Sequence, residues 1–168
     1  MTPVLKLFWN ICTLKSGPEA VPTQGWFLVL LILADLVIAG FVNTTFAQVS
    51  TLQASGYLAI SLATTAVITW FVLYVRGLDG RFPGTLAALI GCDVVIGTLL
   101  AIALQISLVI EASGQSFMAL LFNIWSVVVA GFILKRAINS TLGMGILMAF
   151  GMVFFGVVVG YVAIGPPG

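Results

Sequence analysis

The sequence has no histidine, two cysteines (Cys12 and Cys92), six basic and five acidic side chains, and a net charge of only +1. Without histidine there is no histidine metal site and no Ser-His or Cys-His catalytic pair. Two cysteines exclude a disulfide framework. Charged residues make up 7% of the 168, against about 25% in an average soluble domain. A near-neutral balance offers no basis for a nucleic-acid partner. What is abundant is apolar surface: 61% of residues are hydrophobic and the mean hydropathy is +1.24. A chain this short cannot hide that much apolar surface inside itself, so the excess is expected to face lipid.

A hydrocarbon core about 30 Å thick takes roughly 20 apolar residues per helix. Five stretches have that character, at about 26–42, 56–75, 85–110, 117–134 and 142–164, the last ended by Gly165-Pro166-Pro167-Gly168. None shows the alternation of a membrane strand. The expectation is an all-α membrane bundle of five transmembrane helices in a single domain, 1–168, with no linker. The first long apolar run begins at Trp26 and lacks a convincing small-residue cleavage site, so it is expected to stay as the first span.

The basic residues give the orientation. Lys6 and Lys15 precede the first span, Arg76 and Arg81 separate the second from the third, and Lys135 and Arg136 separate the fourth from the fifth. The alternate loops have none. By the positive-inside rule this predicts N-in, C-out, and the strict alternation supports the count of five.

Residues 3–15, PVLKLFWNICTLK, form a separate element. Val4, Leu7, Phe8, Ile11 and Leu14 recur at helical spacing, with Lys6, Asn10 and Thr13 opposite. The segment is too short and polar to span. It is expected to lie flat at the cytoplasmic surface, with Phe8 and Trp9 in the headgroup boundary and Lys6 and Lys15 towards water. Gly17-Pro18 ends it. Its plain role is a lipid anchor; a docking face for a cytoplasmic partner is the alternative.

The amphipathic segment LKLFWNICTLKSGPEAVP, the short basic loop RGLDGRFPGTLAALIG before the third span, and IWSVVVAGFILKRAI closing the fourth together resemble small bacterial five-span proteins allied to the Ypt-interacting (Yip) membrane protein family. The resemblance covers nearly the whole chain through layout and three short stretches. It implies a compact bundle in a bacterial cytoplasmic (inner) membrane that acts through other proteins or lipids. It brings no catalytic residues. The eukaryotic members' long cytoplasmic N-terminal region has no counterpart here, so their GTPase-linked role is not expected.

Two acids fall inside spans: Asp35 in ADLVIAG and Asp93 in GCDVVIG. Counted from Trp26 and Thr85, each carboxyl lies roughly 12 to 14 Å into the apolar region, at nearly equal depth. An acid there costs on the order of 3 kcal/mol and normally faces the bundle interior. No basic residue occupies any span. Three arrangements remain open: each acid protonated and hydrogen-bonded as helix glue, the two sharing a proton or cation, or a basic group arriving from another subunit. Thr64, Thr65 and Thr69, and Ser107 and Ser126, read as packing groups; Asn123 and Gln105 are candidates to pair across helices. In the fifth span, Gly145, Ala149, Gly156 and Gly160 form a small-residue stripe suited to close helix packing, within the bundle or against a second copy or another protein. Cys12 and Cys92 read as small apolar residues.

These features favour a non-catalytic protein working by association with lipids and other membrane subunits, or with itself: an accessory subunit or Yip-like organiser, with no cofactor or metal. A small proton or cation channel or transporter using Asp35 and Asp93 is the alternative; it needs a polar path, and few polar residues are available. A lipid-acting enzyme would need a clustered nucleophile or acid/base pair that the loops do not offer.

Overall fold

The computed structural model describes residues 3–46, 51–109 and 114–165. Among these the chain is helical throughout: α1 (Pro3–Cys12), α2 (Gly25–Phe46), α3 (Thr51–Val75), α4 (Phe82–Val109), α5 (Gln115–Ile138) and α6 (Leu142–Ile164), with 3-10 turns at Pro18–Ala20 and Asp79–Arg81. The five helices α2 to α6 are each long and apolar enough to cross a membrane, which makes this a multi-pass membrane protein. Helices are what hydrocarbon permits, because they satisfy every backbone donor and acceptor within the segment.

α2 to α5 run longer than the apolar stretches, and α6 matches its own. α5 continues past Leu134 through Lys135 and Arg136, which sit in its last turn, where cations complement the helix dipole. Asn139 then ends it in a left-handed conformation, φ 52°, and Thr141 caps α6 by accepting from the Met144 N–H at 3.4 Å. Gly77, at φ 65°, turns the chain out of α3, and the Leu78 N–H closes back on the Leu73 carbonyl at 2.8 Å. The Asn43-to-Ser55 and Glu111-to-Ser116 loops lie partly outside the described residues, as do Pro166 to Gly168.

The spans form a closed ring in which α4 packs on α2 and α5, α3 joins α2 to α6, and α6 lies along α5. α3 also crosses to α4. Half of the α4 span is buried, against about a tenth of α2 and α3, so α4 is the central helix and the others turn large apolar side chains outward. Val37, Phe150, Phe154 and Val162 are among those outward residues. Arg76, Arg81, Lys135 and Arg136 fall at one end of the ring, its basic end, while Lys6 lies on α1 and Lys15 just after it.

Packing is densest in that half. The most deeply buried large side chains are Ile11, Leu73, Ile133, Leu134, Val129, Thr69, Thr85, Cys12 and Cys92. Each lies on α1 or within about 15 Å of the basic end of its helix, taking 1.5 Å per residue. α1 is part of this core. Phe8 is 3% exposed, stacks on Phe27 with centroids 6.2 Å apart, and lies over Gly91, where a Cβ would come within 2.1 Å of its ring. The Trp125 indole donates to the Cys12 carbonyl at 3.1 Å. So Phe8, expected in the headgroup boundary, is a core residue, while Trp9 on the other face of α1 stays 42% exposed. The amphipathic pattern that suits a lipid surface equally suits docking on a helix bundle, and Gly91 supplies the seat.

α5 and α6 approach most closely. A Cβ on Gly145 would stand 2.0 Å from the Gly131 carbonyl oxygen, and one on Gly131 would stand 2.7 Å from Ile146 Cα. Ala149 is buried and Gly160 packs against the Tyr57 ring. Three members of the small-residue stripe are thus used inside the chain. The fourth, Gly156, has no neighbour within 4 Å where a Cβ would go, and lines a half-open cavity.

Candidate functional site

The two intramembrane acids come from different helices and meet at one place. Asp35 on α2 and Asp93 on α4 lie about 15 to 17 Å along their helices from the basic end, by the same rise. Both line a cavity of about 230 Å³, together with Ser61 of α3 and Asn123 and Ser126 of α5. Four helices therefore each contribute at least one polar side chain to one space. Ser126 Oγ donates to Asp93 Oδ1 at 3.0 Å.

A second cavity, about 340 Å³, adjoins the first through Leu58, Ser61, Asp93, Asn123 and Ser126, and extends between α3 and α6 past Thr65, Met152 and Gly156 to Tyr57. The Tyr57 hydroxyl donates to the Gly165 carbonyl, tying α3 to the end of α6. Along the helices, the smaller cavity runs from the acids away from the basic end, through Ala39, Gly97 and Leu100. The larger reaches one turn below the acids, at Leu89 and Ala149, before extending the same way. Open space thus lies mainly on one side of the acids and the dense core, with α1, on the other. No lysine or arginine lines either cavity.

This geometry suits a positively charged occupant. Two carboxylates that face one cavity in mid-span, with no basic side chain in its lining, call for a proton, a cation or a basic group from elsewhere. The hydroxyls and the amide add oxygen ligands. The helical periodicity of each strip shows which residues are polar, but not that the strips face one another.

The remaining polar residues behave locally. Asn123 donates its amide to the Ala119 carbonyl of its own helix at 2.8 Å, while Gln105 stands exposed, so the two do not pair. Ser107 bonds back to Leu104 at 2.7 Å. Thr69 is fully buried and its hydroxyl has no hydrogen-bond partner. Two contacts lay beyond sequence reasoning. Gly131, the seat for Gly145, had no stripe to mark it, and Cys12 and Cys92 are both buried in the core cluster that joins α1 to α4. Among the described residues, no group of three His, Cys, Asp or Glu side chains is gathered to hold a metal.

A scan of family models, a search of curated proteins and a search of solved structures each found no match to this chain.

Proposed function

We propose that this protein binds a proton or small cation between Asp35 and Asp93 and conducts or couples it through the bundle, without catalysing covalent chemistry. The observation that carries this reading is the shared cavity: two acids at one depth on α2 and α4, ringed by Ser61, Asn123 and Ser126, with no basic side chain in the lining. Scarcity of polar residues weighs against transport only while they are scattered, and here they converge. In this reading the chain sits N-in, C-out in a bacterial inner membrane, α1 at the cytoplasmic side and the cavities extending outward. The alternation of basic loops supports that orientation.

The test is flux of protons, sodium or potassium into proteoliposomes containing the purified chain, compared with Asp35→Asn and Asp93→Asn. Flux in the native protein, lost in either variant while helicity and thermal stability persist, is the expected result. No flux and no cation binding by the native protein refutes the proposal.

A second reading, an accessory subunit or Yip-like organiser, draws on the same missing counter-charge: a lysine or arginine of another membrane protein would then enter the cavity. Purification in mild detergent separates the two. Here the companion, rather than flux, would be lost on Asp35→Asn or Asp93→Asn.

A further inference from the structure

A third cavity, about 400 Å³, lies at the basic end, far from the acids. Its wall joins elements distant in sequence: Glu19 on the first 3-10 turn, Thr23 just before α2, Arg81 and Gly84 where the second 3-10 turn runs into α4, and Arg136 and Asn139 at the end of α5. Two guanidinium groups thus face one space against a single carboxylate.

Both arginines are held in place. Arg81 Nη1 donates to the Ala137 carbonyl at 3.1 Å, which uses one of the five N–H donors of its fork. The Arg136 guanidinium lies over the Phe132 ring, 5.4 Å from its centroid, with Nη1 3.7 Å from Glu19 Oε1. That ion pair is long and largely exposed, so it adds little stability. Glu19 carboxylate oxygens mark where an anion is received, and the side chain can swing away. The first turn of the 28-residue helix α4 also borders the space at Gly84 and Thr85, adding the positive end of its dipole. At Gly84 the walls are close: a Cβ there would sit 3.4 Å from Thr23 Cγ2.

We propose that this cavity binds the phosphate of an anionic phospholipid headgroup, with Arg81 and Arg136 as its ligands and Glu19 as the internal carboxylate it displaces. The position favours a lipid over a soluble phosphate. The cavity lies where the spans α2, α4 and α5 begin or end, at the depth of the headgroups, and basic pockets between spans on the cytoplasmic side suit anionic heads. A guanidinium fork matches phosphate oxygens in a way that a lone ammonium does not.

The test uses the full chain in nanodiscs of phosphatidylcholine with and without phosphatidylglycerol, counting retained lipid by native mass spectrometry. Arg136→Gln should lower phosphatidylglycerol retention by about tenfold or more, as expected for losing a charge-assisted hydrogen bond. Glu19→Gln should raise it, a direction that misfolding cannot mimic. Arg76→Gln, an exposed cation outside the cavity, should leave it unchanged. Equal retention in native protein, Arg136→Gln and Glu19→Gln overturns the proposal. So does inorganic phosphate that binds as tightly and displaces the lipid, since the ligand is then a soluble anion.

Discussion

Gly145→Ala and Gly156→Ala add the same methyl group to the same helix, and the structure assigns them opposite signs. A Cβ on Gly145 meets the Gly131 carbonyl oxygen at 2.0 Å, and the Gly131 carbonyl carbon and Lys135 nitrogen at 3.0 Å. The nearest of these is more than an ångström inside ordinary contact. All three are backbone atoms of α5, so no side chain can swing aside and the two helices must separate. Overpacking that displaces side chains costs about 1–3 kcal/mol, and moving a helix belongs at the upper end. Against this, alanine gains up to about 1 kcal/mol over glycine in helix preference. The expected net loss is therefore about 2 kcal/mol. At Gly156 nothing stands within 4 Å, so only the gain remains and the variant should be neutral or slightly stabilised. Reversible unfolding in mixed micelles by SDS titration, followed by tryptophan fluorescence, measures both. If Gly145→Ala matches the native protein within about 0.5 kcal/mol, or Gly156→Ala falls as far as Gly145→Ala, the assigned α5–α6 packing is wrong; that margin is the scatter expected of inconsequential substitutions.

Two further outcomes concern α1. Phe8→Ala removes a buried ring, a change that costs about 3–5 kcal/mol in a packed core. Because α1 is terminal, the loss should appear as undocking of residues 3–12, seen as faster amide hydrogen exchange there while α4 and α5 keep their protection; unchanged exchange would refute the docked position. The Cys12 and Cys92 thiols are 1% and 2% exposed, so a maleimide should label neither in the folded protein and should reach Cys12 once Phe8→Ala frees the helix. Prompt labelling of the native chain would contradict the burial.

Much of the architecture was legible because hydrocarbon imposes simple demands. Span length, continuous hydropathy and the alternation of Arg76, Arg81, Lys135 and Arg136 with loops that lack basic residues required no knowledge of contacts. The ends were less legible. Lys135 and Arg136 read as loop residues by hydropathy, yet they belong to α5, because a helix continues until something stops it, and here Asn139 does. The small-residue stripe on α6 pointed to close packing but not to its partner, since glycine records that something approaches and not what.

The candidate site divides in the same way. Asp35 and Asp93 stood out from the sequence, and their equal depth followed from helical rise. Ser126 looked like an ordinary packing group, Asn123 like a partner for Gln105, and Ser61 did not stand out at all; nothing in their spacing distinguished them from Thr69 or Ser107. Likewise, Glu19, Arg81 and Arg136 read as loop charges rather than the walls of one cavity.

The sequence alone determined that lipid is the solvent, that five helices cross it, and which end carries the positive charge, because each is a property of one segment measured against the bilayer. Only the tertiary structure decided which faces turn inward. A span buried in lipid on one side and protein on the other is apolar all round, so its hydropathy does not distinguish core from membrane. Meeting points such as Asp35 with Asp93, Gly145 with Gly131, and Phe8 with Gly91 depend on how helices rotate about their axes, and that rotation is fixed by packing among all of them at once.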